Sequence, residues 1–531
     1  MSSARNLTTT TLHSMSWSTA ATVVTAVLQI GYTAVMARLL TPAAFGLVAL
    51  AGVVLRFGSY FSQIGLEQAL VQKADVREED VRAAFTSAAL LGAGCAVALA
   101  LGAPLATGVF HEPAVVPLVR VMGLTLLVNG LSATALAILR RQMAFRTLAV
   151  IDTVSYVVAY VGLGLGLAWH GCGVWSLVGA SLGQAALMGG LAYGATRHPL
   201  RLYFHWPHYR PLLAYGSRIT LTSFLEFVTS SLDTLLIGRL LGAALLGIYN
   251  RAAMLITLPL YLLTRSVARV IFPAFSQIQA DGAKLRGAYL GSVTLVAAVV
   301  LPLGAGAAVA APVLVRALLG PGWDAAVPVL RMLCAAVPLS LVTMFAGIVC
   351  DARAALRAKI TANVLALATL VVFFGLLHGY GLVGFAAALV LNEVVRTGLF
   401  MRLMHHELGL SYPRLGAAYG PGLLHGAAVA AALAAASRGL AHGAWPAPVA
   451  LALLLLSGAV VLTALMLAWP HPLLRRELHG LLSRLVAGPG PGAAAGAAAR
   501  LLARYVRFLD RPGLPPAPYR PGLEPASSLR P

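Results

Sequence analysis

Three arginines recur at helical spacing within one long apolar stretch, residues 245–270. Arg265 and Arg269 follow Arg251 by 14 and 18 residues, which places the three side chains within about 40° of one another on a helix. In a membrane, a charge deep inside such a stretch costs at least about 2.5 kcal/mol unless it faces water or a partner. The spacing therefore predicts a cationic stripe along a cavity. Alternatively, Arg265 and Arg269 lie near the inner end of the span and extend their side chains to lipid phosphates.

A second apolar stretch, residues 45–66, carries a comparable polar stripe. Tyr60, Gln63 and Glu67 follow Arg56 by 4, 7 and 11 residues, so the four side chains lie within about 60° on a helix. Arg56 lies deep in the stretch, and the cost of an unsolvated charge favours a cavity position for it too. Glu67 fits the inner membrane interface equally well.

Two further apolar stretches add uncharged and acidic groups. Residues 14–37 contain Ser18, Thr22, Thr25 and Gln29, and residues 212–238 contain Arg218, Glu226 and Asp233. Glu226 either lines the cavity or forms a structural ion pair with Arg251. Asp233 either caps a helix or pairs with Arg239. Protonation or cation binding at Glu226 or Asp233 is a route by which an ion gradient would shift a conformational equilibrium.

The composition shows which elements must position these groups. The mean hydropathy is +0.84, 59% of residues are hydrophobic and 10% are charged, whereas soluble domains are about one quarter charged. We therefore predict an all-α integral membrane protein, with about fourteen spans of the length that a bilayer requires. Twelve or thirteen spans are not excluded, and the eighth stretch has a potential break at Pro259. The predicted spans are 14–37, 45–66, 83–106, 115–138, 148–169, 174–195, 212–238, 245–270, 288–311, 327–350, 360–378, 382–404, 417–437 and 448–469.

Four sequence anchors occur twice in the same order. An internal repeat of this kind indicates two equivalent lobes, and six spans per copy, an even number, make the copies parallel. We predict an N-lobe at 1–210, a C-lobe at 211–414, two extra spans at 415–469 and a basic Pro/Gly/Ala-rich tail at 470–531. The anchors are Arg38-Leu39-Leu40 with Gly46 and Arg239-Leu240-Leu241 with Gly247, Pro117 with Arg120 and Pro328 with Arg331, Arg146 and Arg357, and the turns 170–173 and 378–381.

The basic residues predict an orientation. If the N-terminus is cytoplasmic, the inner loops before residue 415 contain sixteen Lys or Arg and the outer loops contain four. This asymmetry follows the positive-inside rule, so we expect both termini in the cytoplasm. In the tail, Arg500, Arg504, Arg507 and Arg511 share one helical face, which fits a helix on the anionic leaflet or a solvated tail.

Several classes of function are disfavoured. None of the three lysines follows a glycine, which removes a phosphate-binding loop of the G-x-x-x-x-G-K-[ST] type. The four cysteines form no CxxC pair, so we expect no metal and no cofactor. The positive charge, +21, follows membrane topology rather than a face for nucleic acid. We therefore expect a transporter rather than an enzyme.

The residues resemble a known family. The segments Ala37–Gly46, Gly65–Lys73, Asp233–Gly242, Gly247–Arg251 and Phe272–Ser276 resemble those of bacterial polysaccharide exporters, the Wzx-type flippases of the multidrug/oligosaccharidyl-lipid/polysaccharide (MOP) superfamily. The resemblance covers about residues 10–410. It implies two six-helix lobes around a central cavity, often with two extra helices. It also implies movement of an undecaprenyl-pyrophosphate-linked oligosaccharide from the inner to the outer leaflet of the bacterial inner membrane.

The resemblance also implies roles and partners. The cationic residues would neutralise the pyrophosphate, polar uncharged residues would line the glycan path, and two acids would couple transport to an ion gradient. The partners would be the lipid-linked oligosaccharide, membrane lipid, a polysaccharide polymerase and a chain-length regulator. The residues expected in these roles are Arg56, Arg251, Arg265 and Arg269 for pyrophosphate, Thr22, Thr25, Gln29, Tyr60 and Gln63 for the glycan, and Glu226 and Asp233 for the ion.

Two other functions remain open. A multidrug cation antiporter of the same superfamily should have a net acidic cavity, whereas the stretches around Arg56 and Arg251 hold more arginine than acid. A membrane polysaccharide polymerase or ligase should have a sizeable outer loop with catalytic side chains. No loop before residue 470 exceeds about 20 residues.

Overall fold

The structure is a computed structural model, which describes residues 24–63, 70, 76–203, 206–443, 445–468 and 473–475. Within its helices, the side chains of 63, 206–230, 262–270, 272–273 and 468 are not described. Most of the basic tail and several predicted site residues therefore lie outside the described residues. These site residues are Ser18, Thr22 and Glu67, and the side chains of Gln63, Arg218, Glu226, Arg265 and Arg269.

The described N-terminal part consists of six long helices. The first turn of α3 contains three acids, and Asp80 accepts a hydrogen bond from the Arg77 backbone N–H at 3.0 Å, which satisfies a group that the helix start leaves unpaired. A π-helical segment, Val157–Gly164, interrupts α5. The helices are α1 Val24–Leu39, α2 Pro42–Gln63, α3 Glu78–Phe110, α4 Val115–Arg141, α5 Phe145–Trp169 and α6 Val174–Thr196.

The C-terminal part begins with a helix of 72 residues, α7, that is broken at Gly242. Gly242 has φ +83°, a conformation that glycine adopts without steric cost. We call residues 206–241 α7a and residues 243–277 α7b. The sequence suggested a break at Pro259, but helical backbone continues through that residue, as membrane helices permit. The remaining helices are α8 Gly282–Leu318, α9 Ala326–Ala352, α10 Leu356–Leu377, α11 Gly381–Leu408, α12 Tyr412–Ala417, α13 Gly420–Ala441 and α14 Ala447–Ala468.

The helices confirm the fold class predicted from the sequence. The described part of each predicted span falls on a helix, and no strand occurs among the described residues. By length and composition, eleven helical segments of the described part are able to cross a membrane. One of these segments, Leu356–Leu408, comprises both α10 and α11 and therefore contains two predicted spans. The chain is therefore an all-helical, multi-pass membrane protein. A count of fourteen crossings stays a prediction.

The chain divides into two compact units. The first comprises Met1–Leu262, Ala311–Leu333 and Leu370–Leu389, and the second comprises Leu263–Ala310, Cys334–Thr369 and Val390–Pro531. Both copies of the repeated Arg-Leu-Leu motif lie in the first unit. The two-lobe division at residue 210 stays a prediction.

Candidate functional site

Arg251 occupies a largely apolar site in the first unit. Its guanidinium carbon lies 4.7 Å from the centre of the Phe45 ring, a distance typical of a cation–π interaction. One terminal nitrogen lies 3.6 Å from Met254 Sδ. The Nε atom is buried and has no hydrogen-bond partner among the described residues. Part of the hydrogen-bonding capacity of this cation is therefore unused.

A cluster of tyrosines adjoins this arginine. Tyr32 meets Tyr160 edge-on with ring centres 5.0 Å apart, and Tyr156 stacks on Tyr160 at 4.6 Å. Tyr32 and Tyr156 are close enough to Arg251 to interact with it electrostatically. Within the described part of the chain, the Tyr32 hydroxyl is buried without a hydrogen-bond partner. The π-helical segment of α5 carries Tyr160, and such segments are frequent at functional sites.

The charge of Arg251 is not balanced by any carboxylate of the described residues. Glu226, its predicted partner, has a side chain outside the described residues, so that pair stays a prediction. A buried cation without a counter-ion is unfavourable, and an anion that enters the site would relieve this cost. A guanidinium donates paired hydrogen bonds to phosphate oxygens. The site therefore has the chemistry of a phosphate-binding position.

Arg56 lies on the same face of α2 as Phe45. The two residues are 11 positions apart, which corresponds to a rotation of about 20° and a rise of about 16 Å along the helix. Arg56 is exposed, and Tyr60, one turn further on, is half-buried. The ring of Phe45 is already in contact with Arg251. One face of α2 thus runs from the half-buried Arg251 to the exposed Arg56.

The glycan-path residues on α1 share a face with Tyr32. Thr25, Gln29 and Tyr32 are spaced by four and three residues, which keeps them within about 60°. The Thr25 hydroxyl is buried and finds no hydrogen-bond partner in the described residues, and Gln29 is half-buried. This face leads from the tyrosine cluster towards the N-terminal end of α1.

Asp233 has a partner that the sequence did not indicate. Its carboxylate accepts a hydrogen bond of 2.5 Å from the Tyr249 hydroxyl and one of 2.6 Å from the Thr234 backbone N–H. The predicted alternative, a pair with Arg239, is wrong: Arg239 donates to backbone carbonyls at the end of α3. The bond to Tyr249 joins α7a to α7b across the break at Gly242. A role for Asp233 in ion coupling stays a prediction.

The sequence analysis missed a polar cavity in the second unit. Its volume is about 200 Å³. Lys359 contacts both carboxylate oxygens of Asp351 at 2.7 and 2.8 Å, and Arg396 contacts those of Glu393 at 3.0 and 3.3 Å. The charges of these two pairs balance, so they leave no net positive charge that would attract an anion. Glu393 and Arg396 lie inside the predicted span 382–404, and these charges in an apolar stretch were the available signal. The lining residues are Thr343, Met344, Gly347, Ile348, Asp351, Lys359, Asn363, Arg396 and Phe400.

A comparison with protein families identifies the family of this chain. Residues 35–328 match the family described as "Polysaccharide biosynthesis protein", and this region is more than half of the chain. The chain belongs to the polysaccharide biosynthesis protein family. The resemblance inferred from the sequence is thus confirmed, and the region shared with the family includes both Arg56 and Arg251.

Curated relatives within this family carry related names. The chain is 27% identical to the lipopolysaccharide biosynthesis protein WzxC of Escherichia coli over 61% of its own length and 66% of that protein. It is 30% identical to the succinoglycan biosynthesis transport protein ExoT of Rhizobium meliloti over 56% of its length and 60% of that protein. The chain thus spans less than two thirds of each relative.

The fold of the present chain is similar to that of a solved structure. The lipid II flippase MurJ, in an inward closed conformation, matches with a TM-score of 0.62 over 86% of this chain and 98% of its own. The sequences are 13% identical, so the similarity concerns the fold alone.

Proposed function

We propose that this protein moves an undecaprenyl-pyrophosphate-linked oligosaccharide from the inner to the outer leaflet of the bacterial inner membrane, by alternating access, for surface polysaccharide biosynthesis. The observation that carries this proposal is Arg251, a half-buried arginine whose buried Nε has no hydrogen bond and whose guanidinium has no carboxylate partner among the described residues. The family, the names of the relatives and the shared flippase fold support it.

The pyrophosphate is the part of such a cargo that opposes transfer most. It carries negative charge through the membrane, where an uncompensated ion is costly. Arg251 supplies a cation and paired donors, and the Tyr32 hydroxyl supplies a further donor. Arg56 provides a second cation further along α2, and Arg265 and Arg269 extend the same stripe in our proposal.

The glycan and the lipid use other surfaces in this proposal. The sugar hydroxyls pass the uncharged groups of Thr22, Thr25, Gln29, Tyr60 and Gln63, while the lipid tail stays in the bilayer. Glu226 and Asp233 couple the conformational change to an ion gradient. Both termini lie in the cytoplasm, and a polysaccharide polymerase and a chain-length regulator are the expected protein partners.

A cation as cargo is disfavoured by the same site. Arg251 would repel a cationic drug, and among the described residues no carboxylate stands beside it to reverse the sign of the site. The multidrug antiporter is therefore the weaker of the two functions.

The test is substitution of Arg251 in a strain whose polymer export depends on this protein. Arg251→Ala should reduce export by roughly ten- to a hundredfold, because a hydrogen bond to a charged group contributes about 1.5–3 kcal/mol. Abundance in the membrane should stay normal, since the guanidinium is not part of an ion pair within the described chain. Export is measured as polymer released per unit of membrane-embedded protein.

Two controls complete this experiment. Arg120→Ala removes an exposed arginine of α4 and should leave export unchanged. Arg251→Lys keeps the charge without the planar pair of donors, so export should fall by less than it does with alanine. Normal export by the Arg56→Ala/Arg251→Ala double variant would exclude the pyrophosphate role.

A further inference from the structure

The two copies of the repeated motif contact each other within the first unit. A methyl group at Gly46 would overlap the carbonyl oxygen of Ala243, and one at Gly247 would overlap the carbonyl oxygen of Pro42. Pro42 and Ala243 each follow their motif arginine by four residues, and the two glycines each follow by eight. The contact is therefore reciprocal, and it brings backbone against backbone.

The motif arginines repeat this reciprocity. Arg38, at the end of α1, donates to the carbonyl oxygen of Ala317 at 2.5 Å, in the last turn of α8. Arg239, near the end of α7a, donates to the carbonyl oxygen of Val109 at 2.5 Å, in the last turn of α3. The last carbonyls of a helix lack helical partners and carry partial negative charge. Each arginine thus caps a helix from the other half of the chain.

Two further side chains form hydrogen bonds to the backbone of the motif segments. Trp323 donates its indole N–H to the carbonyl oxygen of Ala37 at 2.9 Å. The Glu112 carboxylate accepts a hydrogen bond from the Ala243 N–H at 3.3 Å. Glu112 and Trp323 are equivalent in the register that aligns the repeated prolines. The glycine and arginine contacts therefore obey one pseudo-twofold relation, while Trp323 and Glu112 each bind a different position of the facing motif.

We propose that these contacts form a reversible closure at the outer ends of the helices, which must open for cargo to leave. We call it the outer latch: Arg38, Gly46, Arg239, Gly247 and the backbone groups that they contact. The inference rests on the proposed transport function, since only a transporter needs such an exit. The hydrogen bonds of the two latch arginines to the helix ends are exposed or partly buried. Water can therefore replace these bonds at little cost when the latch opens.

The latch adjoins the candidate site. The Phe45 ring contacts Arg251 on one side and lies edge-on to Trp323, with ring centres 5.7 Å apart. If a phosphate draws the Arg251 guanidinium away from Phe45, the Phe45 ring loses one of its two contacts. The other contact is with Trp323, which binds the backbone next to the latch. This contact provides a direct physical link between cargo binding and opening.

The test measures how fast a cysteine at a buried position between Arg38 and Gly46 of the latch reacts with a thiol reagent. Ala44, in the first turn of α2, is buried, and Ala44→Cys changes its volume little. The protein is placed in nanodiscs, where both faces are accessible, and labelling by a hydrophilic maleimide is followed by peptide mass spectrometry. The exposed Cys172 serves as the internal standard and the buried Cys334 as the unreactive reference.

Weakening the latch should accelerate this labelling. Arg38→Gln with Arg239→Gln should raise the rate at position 44 about tenfold relative to Cys172, because both helix caps are lost. Arg316→Gln is the matched control: this exposed arginine, next to Ala317 in the same helical turn, pairs with Asp324 instead. Arg316→Gln should leave the rate unchanged.

A second pair of variants tests the backbone contact without changing charge. Gly46→Ala should accelerate labelling as well, whereas Gly52→Ala, in the same helix but facing open space, should not. The proposal is overturned if the arginine pair and Gly46→Ala both leave the rate unchanged in monodisperse protein, or if the control variants accelerate it equally. Labelling requires no cargo, so loss of the flippase proposal in the Arg251 experiment would not alter this result.

Discussion

At the scale of single residues, the site depends on hydrogen-bonding groups that lack partners. The Nε of Arg251 and the hydroxyls of Tyr32 and Thr25 are buried without a bond among the described residues. Each such group costs about 1–3 kcal/mol. In the proposed function, the phosphate and hydroxyl groups of the cargo would satisfy all three.

Tyr32→Phe tests this argument on an uncharged group. Because the hydroxyl makes no hydrogen bond, its removal should leave the thermal unfolding temperature in detergent unchanged or raise it slightly. Flipping of a lipid-linked oligosaccharide in vesicles should fall about tenfold, if that hydroxyl donates to the pyrophosphate. Tyr193→Phe, on the exposed surface of α6, serves as control. Lower stability with unchanged flipping would assign Tyr32 to the fold alone.

At the scale of elements, small residues set how closely helices approach. Gly92 of α3 and Gly130 of α4 face each other, and a methyl at Gly92 would lie 2.6 Å from the Leu126 carbonyl oxygen. Without a hydrophobic force between membrane helices, close packing of this kind stabilises their association. This packing holds α3 against α4. The pair in turn positions Glu112, which lies between the two helices, and the end of α3 that Arg239 binds.

Gly92→Ala should therefore destabilise the protein by about 1–3 kcal/mol, because overpacking moves backbone against backbone. The measurement is thermal unfolding of purified protein, where the midpoint should fall. Gly94→Ala in the same helix faces open space and should have no destabilising effect. Equal midpoints for the two variants would contradict close α3–α4 packing.

At the scale of the whole molecule, the predicted topology places the latch on the outer side. The motif arginines are two of the four basic residues in the predicted outer loops, yet both are bound to helix ends rather than to solvent. In the predicted topology, this structural role accounts for two arginines on the side where the positive-inside rule disfavours them.

Reporter fusions test this orientation. Fusions after Arg141, Leu285 and Ala355 should report cytoplasm, because these sites lie in basic loops, and fusions after Glu112 and Gly379 should report the outer side. Each site is fused in turn to alkaline phosphatase and to a fluorescent protein. The phosphatase activity and the fluorescence, each normalised to the abundance of the fusion, are the readout. Two adjacent inversions would overturn the fourteen-span arrangement, and a cytoplasmic signal from the fusion after Glu112 would place the latch on the cytoplasmic side.

The sequence by itself determined the helical class, the positions of the helices and the presence of two equivalent motifs. These properties are local, since hydropathy and periodicity depend on neighbouring residues alone. The tertiary structure decided which face meets which: Arg239 binds the end of α3 instead of Asp233, and Arg251 lies over Phe45. Periodicity gives the angle of a side chain on its own helix but not the helix opposite. Contacts between residues about 200 positions apart therefore emerge only when the whole chain packs.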